Sequence, residues 1–161
     1  MQTQPVVIKS RIQLKDFDHD YNGGLDKADT KELTDKLGHR IGELQQRLYA
    51  NSNHAILLLF QGMDASGKDG SVRSVQQNVN PAGVEVANFK VPSDEERAHD
   101  FFWRIHKTIP RYGNIGVFNR SHYEAVLAER VLEIVPRKVW SDRYARWWIL
   151  NACWWRTGSL C

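Results

Sequence analysis

Apolar and polar residues along this chain follow two rhythms, one helical and one extended. From Lys27 to about Tyr49, Leu33, Leu37, Ile41, Leu44 and Leu48 recur at spacings of four, four, three and four, which predicts an amphipathic helix with one packing stripe. The run AILLLF, Ala55 to Phe60, shows no period-two alternation and is predicted as a strand buried on both faces, as in a parallel sheet. GSVRSVQQNV, from Gly70, continues as a helix, and VEVANF, Val84 to Phe89, is a second strand. Ser93 with Glu96 three residues on, behind Pro92, forms a capping box that opens another helix. NIGVFN, from Asn114, is a third strand, and HYEAVLAERVLEIV, from His122, a further helix. Strand followed by helix, repeated, is the pattern of an α/β layer with right-handed crossovers. Residues 1–26 read as irregular. Their acidic stretch DFDHDYNGGLD departs from the calcium-loop pattern at Gly24 and lacks its terminal Glu, which leaves a surface loop. No repeat or linker divides the remainder.

Composition adds bounds. With 161 residues, 42% hydrophobic and 25% charged, the chain has the makings of one soluble domain with a real core. Its net charge of +3 suits a polyanionic ligand, although solvated surface lysines give the same balance. No apolar run approaches the ~20 residues of a membrane-spanning helix, and MQTQPVVIKSR lacks the apolar core of a secretory signal. Both cysteines, Cys153 and Cys161, fall in the last nine residues, which excludes a disulfide framework or zinc-ligand spacing. A cytoplasmic protein with no membrane partner is expected. Nucleic acid is disfavoured as well, because basic residues do not interleave with aromatics along one surface.

The chemistry concentrates after the first strand. FQGMDASGKDG, Phe60 to Gly70, carries G-x-x-x-x-G-K, the frame that cradles phosphate. Gly62 and Gly67 let backbone approach a ligand closely, and the inward amides meet the positive end of the following helix. Lys68 adds a mobile charge for phosphate oxygens. The three fixed positions recur by chance in ~4% of chains this long, and the flanking buried strand and helix cut that severalfold. Where the usual loop has a Ser or Thr hydroxyl for magnesium, this one has Asp69. Asp64 and Asp69 together point to a carboxylate that binds magnesium, an ion that favours hard oxygens and keeps several waters. Asp64 is assigned to the metal, and Asp69 stays open between metal binding and stabilising the helix start. In FNRSHYE, Asn119 and Arg120 end the third strand, at the sheet edge where ligands sit in open α/β folds. Arg120 suits a clamp on a transferring phosphoryl group. His122 is read as structural, since phosphoryl transfer rests on positioning and charge. Arg73, Lys90, Arg104, Lys107 and Arg111 flank these elements as candidates for a polyanion track.

With GMDASGKDG, FKVPSDEE, HDFFWR and FNRSHYE in order, the chain closely resembles the polyphosphate kinase 2 family from about Leu14 to Tyr144. The resemblance implies a three-layer P-loop kinase-like parallel sheet with flanking helices, related to thymidylate kinase. It also implies Mg2+-dependent transfer of phosphate between inorganic polyphosphate and nucleotides. The family's pattern G-x-D-x-x-G-K-D-G falls on Gly62, Asp64, Gly67, Lys68, Asp69 and Gly70, and its Asp-or-Asn followed by Arg on Asn119 and Arg120. The carried-over roles are catalytic for Asp64, Lys68 and Arg120. They are phosphate or nucleotide binding for Gly62, Gly67, Asp69, Gly70, Lys90, Arg104, Asn119 and Glu124. Asn119 followed by SHYE looks like the branch that phosphorylates AMP and ADP, with Asn119 and Glu124 bearing on which nucleotide is accepted. A homo-oligomer is expected of the full-length protein.

Beyond Tyr144 the text changes. ARWWILNACWWRTGSLC holds four of the six Trp and both Cys, with no helical stripe or strand alternation. Residues 27–144 are therefore read as the phosphotransferase core and 145–161 as an aberrant tail that leaves the fold incomplete. A one-base shift of reading frame can turn the tail into V-V-D-F-E-R-L-L-V-E-N-G, which resembles what the family carries there. The family's remaining portion supplies more sheet and a basic helical lid. The other reading of the tail is a genuine variant whose tryptophans pack on the core. Two functional alternatives stand beside the family's own: an ATP-dependent kinase of a small molecule, and a phosphate-binding fragment that turns over poorly without a lid.

Overall fold

A computed structural model describes residues 13, 15, 24–63, 65–131, 133, 135–156 and 159–160. Most of the segment expected to be irregular, 1–26, lies outside the described residues, as does its acidic stretch up to residue 23. The chain forms two compact units, 1–37 and 38–161. In the first, helix α1 (Lys27–Asn51) starts where the Asp26 carboxylate accepts from the Asp29 amide at 2.8 Å, a side-chain cap on an otherwise orphaned donor.

The second unit holds a parallel sheet. Its strands are β1 (Ala55–Phe60), β2 (Val84–Asn88), β3 (Ile115–Asn119) and β4 (Ser159–Leu160), in the order β2-β3-β1-β4. Between them run α2 (Lys68–Gln76), α3 (Asp94–Ala98), α4 (Trp103–His106), α5 (Glu124–Val131) and α6 (Arg137–Arg156). Alternation along β1 feeds both faces. Leu57 joins Phe89, Ile105, Phe118 and Leu150 in one cluster, while Ile56, Leu58 and Phe60 pack on Val72, Ile115 and Val117 in another. A strand with apolar residues on both sides is what the unbroken run AILLLF predicts, and full burial of a side chain such as Phe118 is worth about 1.5–3 kcal/mol.

Three details depart from expectation. The leucine stripe of α1 is its packing face only in part. Leu48 packs on Val72, Ile115 and Val117 and Ile41 is half-buried, but Leu33, Leu37 and Leu44 are 39%, 52% and 47% exposed, and the buried residues are Gly38, Gly42 and Gln45. Backbone-close packing explains the difference. A Cβ on Gly42 would lie 2.2 Å from the Asn78 carbonyl oxygen. Gln45 meanwhile exchanges hydrogen bonds with the Asn80 main chain, each 3.3 Å long. The capping box at Ser93 and Glu96 is present, but its helix stops at Ala98. There the Asp100 carboxylate accepts from the Phe102 amide at 3.0 Å and starts a new turn. Residues beyond Tyr144, finally, are helical to Arg156 despite lacking a stripe. Trp147 and Leu150 are buried, and Trp147 meets Tyr123 edge-on at 4.7 Å.

His122 sits within this packing, 1% exposed, and burial pushes its imidazole down to about 4. Neutral His122 in the fold against an ordinary imidazole in the unfolded chain gives stability that is complete above pH 6.5 and lost as pH falls toward 4. Denaturant unfolding of the protein should lose about 2 kcal/mol between pH 7 and 5, and His122→Phe should remove most of that slope. Gly42→Ala should destabilise by about 2 kcal/mol in the same measurement, opposite in sign to the ~1 kcal/mol gain of alanine at an unobstructed helix site.

Candidate active site

Parallel pairing aligns the ends of three strands. Phe60 stands opposite Asn119 and Asn88 opposite Asn119, so β1, β2 and β3 finish level at their carboxyl ends. The glycine loop leaves β1 at this edge, and the turn into α5 leaves β3 beside it.

Within the loop, Ala65 and Gly67 take positive φ, 62° and 84°. The second suits glycine, and the first is a strained choice for alanine. Lys68 ties the loop together. Its Nζ donates to the carbonyls of Gly62 (2.8 Å) and Met63 (2.6 Å) and to Ser66 Oγ (3.4 Å). The first turn of α2 receives no side-chain cap from Gly67, and uncapped leading amides of a helix are groups that can receive an anion. Gly70 lies in that turn with nothing within 4 Å of where a Cβ would stand.

Across the edge, Asn119 Nδ2 donates to Asp69 Oδ1 at 2.8 Å, joining the end of β3 to the start of α2. Arg120 turns the chain sharply with φ 64°, while its amide still donates to the Phe60 carbonyl at 3.0 Å. Its guanidinium lies 3.7 Å from Glu124 Oε2. The other carboxylate oxygen of Glu124 accepts from Gln61 Nε2 at 2.8 Å, and Ser121 Oγ donates to Gln61 Oε1 at 3.3 Å. Gln61 and Ser121 fall inside FQGMDASGKDG and FNRSHYE, yet nothing in their spacing assigns them a role. Gln61 immediately follows a buried strand, and only the strand register brings it to Glu124.

Lys90 is exposed just past β2. Arg104, expected as a phosphate binder, is 8% exposed and committed inside the protein. It donates to the Lys90 carbonyl at 2.9 Å, reaches Glu96 Oε2 at 3.4 Å and covers the Phe89 ring. The Ser93 amide holds the Glu96 carboxyl below its usual range, with Arg104 adding to the effect. Among the flanking cations, Arg111 pairs with Glu85 near the amino end of β3, away from the loop. Lys107 lies over Trp103, and Arg73 lines a cavity of about 660 Å³ beside Asp69. Asp64 lies outside the described residues. Among the described residues, no cluster of three or more His, Cys, Asp or Glu is placed to hold a metal. Magnesium bound mainly through substrate phosphates needs only one or two carboxylates, and Asp69 offers hard oxygen at this edge.

A family model described as Polyphosphate kinase 2 (PPK2) matches residues 24–159. An AMP/ADP-polyphosphate phosphotransferase of Meiothermus ruber is 47% identical over 138 residues, which cover 83% of this chain and 51% of the relative. An ADP-polyphosphate phosphotransferase of Rhodopseudomonas palustris is 49% identical over 125 residues, covering 70% of this chain and 43% of that one. The chain thus spans about half the length of the curated relatives it matches. The crystal structure of polyphosphate kinase 2 from Arthrobacter aurescens TC1 superposes with a TM-score of 0.90 at 37% identity, over 94% of this chain and 56% of that one. Its fold is the P-loop kinase-like parallel sheet described above. By sequence and by architecture, the chain belongs to the polyphosphate kinase 2 family.

Proposed function

We propose that this protein transfers phosphate between inorganic polyphosphate and AMP or ADP, with magnesium, in the cytoplasm. One observation carries the reading: Lys68 in its glycine loop, the Asp69–Asn119 pair and Arg120 share the carboxyl edge of the sheet. Four candidate side chains from two segments of the chain stand there, beside a glycine loop that leaves room for a phosphate chain.

In the transfer, an oxygen of the nucleotide's terminal phosphate attacks the terminal phosphorus of polyphosphate. The bond from that phosphorus to its bridging oxygen breaks, and the shortened polyphosphate leaves with the electron pair. The attacking oxygen is already anionic near neutral pH, so no general base is required. His122, buried and neutral, is accordingly left out of the chemistry. The loop amides and Lys68 hold phosphate oxygens, and Arg120 meets charge on the phosphoryl in flight. Asp64 and Asp69 are the carboxylates that would hold magnesium, with Asn119 fixing the orientation of Asp69. Magnesium, when bound, neutralises phosphate charge and orients the reacting oxygens. Glu124 and Asn119 border the nucleotide's phosphates, and Lys90, braced by Arg104 through its carbonyl, extends the track for the polyanion.

Purified protein should form ADP from AMP and ATP from ADP with polyphosphate as donor, and far less product with ATP in its place. A donor preference for ATP would overturn the reading. Gly70→Ala should fold with unchanged or slightly raised stability, about 0.5 kcal/mol, because the protein itself leaves that space open. Its phosphate transfer should nonetheless fall at least about tenfold, since the added methyl occupies the approach to the α2 amides. Unfolding curves and an assay of nucleotide products read the two effects separately.

A further inference from the structure

We propose that Gln61 is a positioning residue for phosphate transfer, oriented by Ser121 and acting through Glu124 on Arg120. The inference rests on the reading of Arg120 as the phosphoryl clamp.

Gln61 is the first residue past β1, and the register opposes its neighbour Phe60 to Asn119. It therefore abuts the turn of residues 120–124. Ser121, 0% exposed, is fixed by that turn: its Oγ accepts from the Tyr123 amide at 3.2 Å and donates to Gln61 Oε1 at 3.3 Å. With its oxygen end engaged by a donor, the Gln61 carboxamide presents its amino group to Glu124 Oε1 at 2.8 Å. Two donors then divide one carboxylate, Gln61 on Oε1 and Arg120 near Oε2 at 3.7 Å.

That division matters for Arg120. Guanidinium and carboxylate favour a tight two-pronged pair, in which both oxygens are consumed. Each carboxylate oxygen keeps a second lone pair, but the Gln61 bond to Oε1 holds Glu124 with Oε2 toward Arg120 and away from the two-pronged alignment. The guanidinium is kept near the strand end, 42% exposed, without being sequestered by its neighbour. Loss of the Gln61 amide frees Oε1 and lets Glu124 draw Arg120 onto itself, away from an incoming phosphoryl group. Fold and nucleotide affinity would change little, and the chemical step would slow.

The test compares the parent protein with Gln61→Met, Gln61→Glu and the exchange Gln61→Glu with Glu124→Gln, following polyphosphate-dependent phosphorylation of AMP and ADP from pH 6 to 8.5. Gln61→Met, which removes both hydrogen bonds without adding charge, should lower kcat about tenfold with KM for the nucleotide moved less than about twofold, at every pH. Gln61→Glu sets two carboxylates face to face. It should lower kcat by a similar factor at pH 8 and recover on acidification, as one of the pair takes up a proton and becomes a donor. The exchange restores a donor–acceptor pair with reversed polarity and should raise kcat severalfold above that of Gln61→Glu at pH 8, with no recovery limb on the acid side, while any loss of nucleotide binding from the missing Glu124 charge is read in KM. Melting temperatures of all variants establish that each is folded. Parental kcat and pH profile in Gln61→Met and Gln61→Glu, or an exchange no faster than Gln61→Glu, would overturn the positioning role alone. A parent that transfers phosphate from neither donor overturns the functional reading and this inference together, so the two failures are distinguishable.

Discussion

Parallel pairing of β1 with β3, Phe60 opposite Asn119, determines where every candidate group at the sheet edge stands. Three separate links cross that one alignment: Arg120 amide to Phe60 carbonyl, Asn119 to Asp69, and Gln61 to Glu124. A slip of one residue would turn each side chain to the opposite face of the sheet and break all three. The core resists such a slip because both faces of β1 are filled. Leu57 and Phe118 are buried on one side, and Ile115 and Val117 close the other. Apolar packing thus specifies a polar geometry that it never touches.

Charge at this edge is sorted by burial. Arg104, on α4, is enclosed by a carbonyl, a carboxylate and an aromatic ring, whereas Arg120, directly after β3, remains partly open. A buried guanidinium with its donors matched by protein oxygens stiffens the segment it grips. Lys90, whose carbonyl is one of those oxygens, is presented from such a stiffened segment. Positive φ at Ala65 and Arg120 puts a strained bend in each of the two segments that meet at the edge. Conformations of this kind cost about 1–3 kcal/mol and persist where the surroundings over-determine them.

How far the sequence could be read depended on range. The strands, the glycine loop and the Ser93 cap are written in local pattern, and the structure has them within a residue or so. The edge position of Asn119 and Arg120 was legible too, because parallel sheets direct their carboxyl ends one way. What failed was long-range. Leucines on α1 outvoted two glycines, although Gly38 and Gly42 are the residues that lie against Asn78. Gln61, Ser121 and the inward commitment of Arg104 depend on partners 8 to 63 positions away, which no spacing rule reports. The helix through Trp147 was hidden because its burial comes from an aromatic cluster with Tyr123, His122 and Tyr144 rather than from a stripe. That helix also holds a local conflict: the Trp147 indole N–H is buried and meets no acceptor among the described residues.

The three bonds from the Lys68 ammonium to Gly62, Met63 and Ser66 have one more effect. They rigidify the loop from within, so its shape is preorganised by the same cation that would later face a phosphate oxygen. Ordering those residues draws on the free energy of folding instead of weakening association, at about 1–2 kcal/mol for each backbone fixed. If Lys68 is the phosphate ligand proposed above, an arriving anion would exchange places with those loop oxygens, a substitution of one coordination shell for another.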